Sequence, residues 1–201
     1  TSRKWYKIFG GSMGVIGKDF NYKVIPNFLG KEEIILLNQY CEIFHRINSK
    51  HFEITGTQPT GKDTCDTFSY GDLLFDSLLL TKKNIMEEAT GKKLFPTYSY
   101  WRMHTKHAIL RKHIDRDACE ISVTVHIGSD GTSWPFYLDG NSFNTKPGDA
   151  IIYLGPKLMH YREIFKGDWY LGAFLHYVDA EGPHKDRYMD KRMYWGTKGT
   201  Y

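Results

Sequence analysis

Residues 120–127 read EISVTVHI and alternate polar and apolar side chains along the whole stretch. Because successive side chains of an extended strand point to opposite faces, this alternation predicts a β-strand with one apolar face. The opposite face would carry Ser122, Thr124 and His126. A strand inside a packed apolar core would not place three polar groups inward, so we expect this face to line a hydrated cavity.

Similar runs lie on both sides of this stretch. The breaks between them are rich in Gly, Pro, Asn and Asp, which favour tight turns. Many short strands at this spacing predict a sandwich or a barrel. The strand-like runs cover residues 98–103, 134–138, 150–154 and 169–178, and turns are predicted at 128–131, 139–141 and 147–149.

The N-terminal half has a different pattern. A short strand and turn at 22–29 precede a first helix that starts near Glu32, where apolar residues recur at helical spacing. A long polar loop is predicted at 49–70, and loops of this length inside a compact domain are often functional lids or mobile segments. A second helix is predicted at 72–89, with Gly91 as its C-terminal stop. Helices followed by strands predict helices packed on one outer face of a β core.

The length of 201 residues fits a single domain. We expect residues 1–96 to form an N-terminal helical support region, residues 97–180 to form the β core and residues 181–201 to form a tail. A chain of this length can bury most of its apolar surface without disulfide or metal cross-links.

The net charge and the cysteine content restrict the classes of partner and the cellular compartment that we expect. The net charge of +4 is too small to indicate a nucleic-acid partner, and it does not require a membrane partner either. No apolar run approaches the roughly 18 residues that a membrane helix needs, and we read no signal peptide at the start. Cys41, Cys65 and Cys119 are odd in number and lack C-x-x-C spacing, so we expect reduced thiols in a cytoplasmic protein. No sequence feature indicates an oligomeric state.

Two histidines and an aspartate could form a metal site. His113 and Asp115 are separated by one residue, which on a strand directs both side chains to one face. His160 follows a strand-like run after a Gly-Pro break, and a neighbouring strand could bring it to the same place. Non-haem Fe(II) oxygenases use two imidazoles and one carboxylate on one face and leave the opposite positions open. The His-x-Asp spacing alone is a weak signal, and the strand context strengthens it.

Six short motifs carry a resemblance to a known family: HIDR at 113–116, CEISVT at 119–124, WPFY at 134–137, PGDA at 147–150, HYRE at 160–163 and FLHYV at 174–178. Through them the chain resembles the Fe(II)/2-oxoglutarate-dependent oxygenases, and within these the prolyl 4-hydroxylase-like group of phages and bacteria. The resemblance implies a double-stranded β-helix core, jelly-roll or cupin-like, with N-terminal helices packed on one face. It also implies that His113, Asp115 and His160 are the iron ligands.

The same resemblance implies a dioxygenase that needs Fe(II), 2-oxoglutarate and O2, with ascorbate as reductant. The implied reaction hydroxylates a C–H bond, with a peptidyl prolyl residue as the expected substrate, and decarboxylates 2-oxoglutarate to succinate. The partner would be a protein or peptide, and the location would be the cytoplasm, or the host cytoplasm for a phage protein. In such enzymes the cofactor carries the chemistry and the protein orients the reactants.

The far carboxylate of 2-oxoglutarate needs a cation, because a buried unpaired charge is costly. Prolyl-hydroxylase relatives supply an Arg or Lys roughly ten residues after the second His, where this chain has Trp169 and Tyr170 instead. This departure leaves open a different 2-oxo acid, or none. Our candidates for binding the cosubstrate are two arginines and four hydroxyl donors, namely Arg162, Arg102, Tyr98, Tyr100, Thr124 and Tyr170.

Two other functions remain open at this point. A nucleic-acid demethylase with the same fold would need a more basic groove than the net charge suggests. A non-enzymatic, cupin-like module could hold zinc, but a structural zinc site usually has four Cys or His ligands. Among further residues, we expect Arg116 to pair with Glu120 and His104 to lie in a loop. His176 is expected in the pocket or the core, and the tail at 184–201 is expected to dock through its aromatic rings.

Overall fold

The structure is a computed structural model and describes residues 21–51, 56–57, 63–64 and 66–197. Its regular elements are two helices and twelve strands, with short 3-10 turns at Asp117–Cys119 and within Lys185–Lys191. In chain order they are β1 (Tyr22–Ile25), α1 (Lys31–His51), β2 (Gly56–Thr57), β3 (Asp63–Thr64), β4 (Thr67–Tyr70), α2 (Leu73–Thr90), β5 (Leu94–Thr105), β6 (Leu110–His113), β7 (Ile121–Ser129), β8 (Phe136–Leu138), β9 (Asn141–Phe143), β10 (Ala150–Tyr153), β11 (His160–Arg162) and β12 (Trp169–Asp179).

Two antiparallel sheets form the β core. The larger sheet has the strand order β1-β10-β7-β12-β5-β4, and the smaller sheet has the order β6-β11-β8-β9. Side chains of β8 and β10 pack together between the sheets, in a cluster that includes Phe136, Leu138, Ile151 and Tyr153. This mainly β architecture with flanking helices agrees with the predicted fold class.

The two faces of the larger sheet have different chemistry, as the alternation in residues 120–127 predicts. On β7, Ile121, Val123, Val125 and Ile127 belong to an apolar cluster that also contains residues of α1 and α2. The intervening residues of the same strand, Ser122, Thr124 and His126, are buried but belong to none of the apolar clusters formed by the described residues. The inner face of the sheet therefore presents polar groups to the space between the sheets.

Helix α2 has the boundaries that its sequence predicts. Asp72 caps its N-terminus, since Oδ1 accepts hydrogen bonds from the backbone N–H groups of Leu74 at 2.9 Å and Phe75 at 3.3 Å. Gly91 ends the helix with φ 69°, a left-handed conformation that glycine adopts without a Cβ clash. The capping residues thus fix the helix between the two strands β4 and β5.

Two predictions about the N-terminal half need correction. The loop predicted at 49–70 overlaps the end of α1 and contains three short strands, since β2 pairs with β3 and residues 67–70 form β4, which pairs with β5. Residues 52–55, 58–62 and Cys65 of that loop lie outside the described residues, and the lid stays a prediction. Strands β1 and β4 add to both edges of the larger sheet, so the region before residue 97 supplies strands as well as helices. The division into 1–96, 97–180 and 181–201 stays a prediction.

Within the described residues, neither helix is both long enough and apolar enough to cross a lipid bilayer.

Candidate metal centre

The register between β6 and β11 brings two histidines together. His113 ends β6 and lies opposite His160, the first residue of β11, in an antiparallel pair. The centroids of the two imidazole rings are 4.2 Å apart. Asp115 lies just beyond the end of β6 rather than on the strand, and its backbone N–H donates to the Gly155 carbonyl at 3.0 Å. The aspartate is therefore positioned by a turn contact, and not by strand pairing as its spacing suggested.

The three side chains converge on one point. Asp115 Oδ1 is 3.4 Å from His113 Nε2 and 3.4 Å from His160 Nε2. Donor atoms about 2.1 Å from one ion and at right angles to one another would lie about 3 Å apart. The donor set of two imidazole nitrogens and one carboxylate oxygen therefore fits a single transition-metal ion after small side-chain movements.

Both imidazoles are held in the tautomer that a metal needs. His113 Nδ1–H donates to the Arg111 carbonyl at 2.7 Å, and His160 Nδ1–H donates to the Leu158 carbonyl at 2.9 Å. A neutral imidazole with its proton on Nδ1 presents the lone pair of Nε2, and Nε2 is the atom that faces Asp115 in both residues. The backbone thus orients both rings toward one ion.

The electrostatics of Asp115 favour its ionised form. Burial would raise the pKa of this carboxyl, but hydrogen bonds from His113 and His160 outweigh burial and hold the pKa well below its ordinary range. The hydrogen bond to Asp115 in turn raises the pKa of His113. A divalent cation would replace the imidazole protons as the counter-charge of the carboxylate.

The second oxygen of Asp115 faces a different group of residues. Ser122 Oγ lies 3.2 Å from Asp115 Oδ2 and 2.9 Å from His176 Nδ1. Ligand atoms of Asp115, Cys119 and His176 all lie within 4.8 Å of one another. Burial lowers the pKa of His176 to about 4, so the ring is neutral at physiological pH. His176 is thus a pocket residue behind the carboxylate, one of the two positions expected for it.

A cavity of about 460 Å³ opens in front of the three converging side chains. Its wall is largely aromatic, and Tyr98 and Tyr100, two of the predicted cosubstrate-binding residues, are part of it. Sequence reasoning missed five other members of the wall, although Phe174 alternates on β12 with the core residues Ala173 and Leu175, which marks an inner face. The residues missed are Tyr70, Leu110, Arg116, Tyr153 and Phe174.

Arg162 is buried beside aromatic rings. Only 4% of its surface is exposed, and its guanidinium carbon lies 4.9 Å from the Tyr170 ring centroid and 5.0 Å from that of Trp134. Its Nη1 donates to the Trp134 carbonyl and its Nη2 donates to the Tyr170 hydroxyl at 3.2 Å. These hydrogen-bond partners are neutral, and no carboxylate among the described residues forms an ion pair with Arg162.

A second polar group near Arg162 also has spare hydrogen-bonding capacity. His126 stacks on Tyr170, with ring centroids 4.5 Å apart, and its Nε2 is buried without a hydrogen-bond partner among the described residues. Burial, aided by the positive charge of Arg162, lowers the pKa of His126 to about 4. Thr124 precedes it on the same face of β7 and is also buried. Arg162, Tyr170 and His126 thus form a buried polar cluster.

Arg102 differs from Arg162 because its charge is compensated. Its Nε donates to Asp66 Oδ2 at 2.8 Å, and its Nη2 lies 2.7 Å from the same oxygen. Asp66 is fully buried; burial would raise its pKa, but His104 and Arg102 hold the pKa of this carboxyl far below its ordinary value. Asp66 was not predicted from the sequence, because no motif or periodic pattern marks this position.

Two further predictions are wrong. His104 is not in a loop, since it lies within β5 and is buried. Arg116 pairs with Asp190 through two contacts, at 2.8 and 2.6 Å, whereas Glu120 accepts the backbone N–H of Asp179 at 2.9 Å. The C-terminal segment reaches the rim of the cavity through this pair, a long-range contact that sequence spacing could not predict.

Comparisons with known proteins show the fold. No protein-family model matches the chain, and no curated protein matches it. Solved structures do match. A 2OG-Fe(II) oxygenase family oxidoreductase from Burkholderia pseudomallei shares 13% identity at a TM-score of 0.59, covering 79% of this chain and 85% of the other.

Two more solved structures illustrate the range of the likeness. A Pseudomonas putida prolyl-4-hydroxylase shares 14% identity at a TM-score of 0.56, covering 79% of this chain and 92% of the other. HygX from Streptomyces hygroscopicus, solved with nickel, 2-oxoglutarate and hygromycin B, shares 15% identity at a TM-score of 0.59, covering 80% of this chain and 84% of the other. At such identities the likeness establishes a shared fold.

Proposed function

We propose that the chain is an Fe(II)- and 2-oxoglutarate-dependent dioxygenase that hydroxylates a C–H bond. The observation that carries the proposal is the convergence of His113 Nε2, Asp115 Oδ1 and His160 Nε2 at the wall of an open cavity. Three protein donors on one face leave the remaining positions of an octahedral ion for small-molecule ligands. The fold shared with oxygenases and the presence of 2-oxoglutarate in the HygX structure support this assignment.

His113, Asp115 and His160 would hold the iron. Once bound, iron with 2-oxoglutarate and O2 supplies the oxidising power for hydroxylation, with release of CO2 and succinate and with ascorbate keeping the iron reduced. The chain's own contribution is orientation. Backbone carbonyls of Arg111 and Leu158 fix the imidazoles, and aromatic rings line the cavity beside them.

We assign the far carboxylate of 2-oxoglutarate to Arg162. A buried guanidinium with neutral partners gains most from an anionic ligand, since the desolvation cost of the cation is already present. Tyr170, Thr124 and the spare Nε2 of His126 lie on the same inner face and could add hydrogen bonds. Arg102 is the weaker candidate, because Asp66 already compensates its charge.

For the substrate, we favour a peptidyl residue, with proline as the first choice. Tyr70, Tyr98, Tyr100 and Phe174 present ring surfaces to the cavity, and such surfaces suit a small aliphatic ring. Arg116 at the same wall is neutralised by Asp190, so the cavity carries little free charge for a polyanion. We therefore favour a protein or peptide partner.

The reaction is tested with purified protein, Fe(II), ascorbate, 2-oxoglutarate and a library of proline-containing peptides. We expect succinate release that depends on iron, together with a gain of one oxygen on a peptide. Succinate without any oxygenated peptide would refute the peptide substrate and keep the oxygenase. No succinate above a metal-free blank, from protein that binds Fe(II), would favour a non-enzymatic metal-binding module.

The cosubstrate assignment is tested with a matched pair of variants. Arg162→Met should raise the KM for 2-oxoglutarate by about 10- to 100-fold, because charge-assisted hydrogen bonds contribute about 1.5–3 kcal/mol. Arg102→Met is the control and should change this KM by less than about threefold, since its partner is Asp66. Arg162→Lys, which keeps the charge, should recover part of the affinity. The opposite order of the two Met variants would transfer the assignment to Arg102.

A further inference from the structure

A thiol and a phenol meet directly behind the proposed iron ligands. Cys119 Sγ lies 3.1 Å from the Tyr98 hydroxyl oxygen, and only 3% of Cys119 is exposed. The same sulfur belongs to the group in which the ligand atoms of Asp115, Cys119 and His176 lie within 4.8 Å of one another. A readily oxidised pair of side chains is therefore adjacent to a carboxylate that we assign to the metal.

The ring of Tyr98 is held on several sides. It stacks on Tyr70 with centroids 4.8 Å apart, and its centroid is 4.4 Å from that of His176. The guanidinium carbon of Arg116 lies 4.7 Å from the ring centroid. These contacts keep the edge of the ring that carries the hydroxyl group beside the sulfur of Cys119.

Among the described residues, Cys119 has no partner for a disulfide. Its burial excludes small thiols from the solvent, and the other described free cysteine, Cys41, lies in the apolar core with α1. Tyr98 lines the metal cavity and Cys119 lies behind it, so oxidant that forms in the cavity and finds no substrate could reach the pair through Tyr98.

We propose that Cys119 and Tyr98 become joined by a thioether bond between Sγ and the ring carbon next to the phenol hydroxyl, formed by oxidation at the metal centre. The inference rests on the proposed function, which supplies the oxidant. One S–H and one C–H bond break and one S–C bond forms. The two hydrogens leave in one water molecule, while 2-oxoglutarate and O2 become succinate and CO2, so that one oxygen atom enters succinate and the other enters water.

The joined pair would have two consequences for the site. It would remove a thiol that the oxidant could otherwise convert to irreversible sulfinic or sulfonic acid. It would also fix Tyr98, which lines the cavity, in one position. The modification would therefore accumulate during early turnover and complete the cavity wall.

The test is the mass of the protein itself. Protein purified without iron is incubated anaerobically or in air with Fe(II), ascorbate and 2-oxoglutarate, without substrate, and then reduced and digested with trypsin. We expect the intact mass to fall by two hydrogens in air only. The tryptic peptide 94–102 should become attached to the peptide that begins at Asp117, through a bond that resists reduction, and fragmentation should place it on Tyr98.

Matched variants separate the pair from its neighbours. Cys119→Ser keeps a hydrogen-bonding group beside Tyr98 and should abolish the link, as should Tyr98→Phe, which keeps the ring. Cys41→Ala, at the other buried thiol among the described residues and away from the cavity, should retain the link. The wild-type peptide map decides the question even where a variant does not fold.

Other results would overturn the inference. Oxygen added to Cys119 or to Tyr98 without a link would show two separate oxidations, and an unchanged mass during succinate release would show that the pair does not react. An arm with Fe(II) and hydrogen peroxide, in which two water molecules form per link, distinguishes the two proposals. A link with peroxide and no succinate in the main arm would support the Cys–Tyr pair and refute the dioxygenase.

Discussion

At the scale of single residues, the carboxylate of Asp115 lies next to both imidazoles. Its Oδ1 faces both Nε2 atoms, where we propose the metal, while its Oδ2 accepts a hydrogen bond from Ser122 Oγ that helps to position the carboxylate. The pKa of this group is held well below its ordinary range by the two histidines. The carboxylate therefore carries its negative charge at every pH at which the histidines are neutral enough to bind a metal.

Asp115→Asn should reduce the affinity for Fe(II) or Co(II) by at least about 100-fold, since even loss of a supporting residue typically costs 10- to 100-fold. The change keeps the size of the side chain, so the circular dichroism spectrum should be unchanged. Metal titration by calorimetry measures the effect. Asp117→Asn, two residues away with its side chain 53% exposed, is the control and should bind metal like wild type. Equal affinities in both variants would remove Asp115 from the site.

Buried histidines predict the pH dependence of stability. The pKa values of His104 and His126 fall to about 4, chiefly through burial, below the value of about 6.5 for an unfolded histidine. Between these two values the unfolded state binds more protons, so the free energy of unfolding falls as the pH falls from 7 to 4. Each residue should cost about 2 kcal/mol by pH 5.

Urea titrations at pH 7.5 and pH 5 measure this loss. His126→Asn should make the loss about 2 kcal/mol smaller than in wild type, because one buried titrating group is gone. His107→Asn, at an exposed turn residue with φ 70°, should leave the pH dependence as it is. A pH dependence that is the same in wild type and His126→Asn would contradict the buried, neutral state of His126.

The sequence predicted the convergence of His113, Asp115 and His160 better than it predicted their surroundings. The three were visible because chemistry restricts a facial metal site to few residue types, although Asp115 reaches this place through a turn contact and not through the strand periodicity that we expected. The surrounding contacts are of two kinds. Asp66 and Asp190 each pair with an arginine 36 or more positions away in the sequence, and Ser122 contributes a hydroxyl group of the kind that many serines share. Nothing local in the chain distinguishes such partners.

At the scale of elements, the short segment between β10 and β11 contains Gly155, which lets the backbone approach Asp115 closely. The carbonyl of Gly155 accepts the backbone N–H of Asp115 at 3.0 Å. A Cβ atom added at residue 155 would lie 2.5 Å from Asp115 Oδ2 and 2.9 Å from Asp115 Cβ. Glycine is needed here for close approach, and the approach places the carboxylate.

Gly155→Ala should therefore weaken metal binding by about 10- to 100-fold by displacing the carboxylate. The overpacking should also lower the free energy of unfolding by about 1–3 kcal/mol. Gly30→Ala is a matched control, because its added Cβ would meet Glu33 Oε2 at an ordinary 3.6 Å. Calorimetric metal titration and urea unfolding of both variants measure the two effects. Unchanged metal affinity in Gly155→Ala would show that Asp115 does not depend on this contact.

Elements with local signals were predictable, and two short strands without such signals were not. Asp72 and Gly91 mark both ends of α2 in the sequence, and the alternation at 120–127 marks β7. Strand β4, with four residues, and strand β9, with three, are too short for a periodic pattern. These strands form because a neighbouring strand already offers hydrogen-bonding groups, and that information is not local.

At the scale of the whole molecule, the C-terminal segment is tied to the helical side by a buried ion pair. The side chains of Asp76 and Arg192 are 1% and 0% exposed, and Arg192 Nη1 lies 2.7 Å from Asp76 Oδ2. The backbone N–H of Gly196 donates to the same carboxylate at 2.8 Å. Trp195 packs against the apolar core, so the predicted aromatic docking is joined by an ion pair that the sequence did not indicate. Residues 198–201 of the tail lie outside the described residues.

Arg192→Met should lower the free energy of unfolding by about 3–5 kcal/mol, because it leaves the Asp76 carboxylate buried without its cation. The double variant Asp76→Leu/Arg192→Met should recover part of this loss. Lys191→Met, which removes a pair whose side chains are 62% and 59% exposed, should cost no more than about 1 kcal/mol. Urea unfolding measures all three. A small loss in Arg192→Met would mean that the segment is held by its aromatic contacts.

The larger sheet carries its cavity-facing side chains on one face and its apolar core side chains on the other. This separation affects how the sequence can diverge in evolution. Tyr100, Thr124 and Phe174 can change without touching the apolar cluster that joins the sheet to the helices. Mutational libraries restricted to these inward positions should therefore retain folding while altering which molecules are recognised. A scaffold of this kind can acquire new specificities without first acquiring surplus stability.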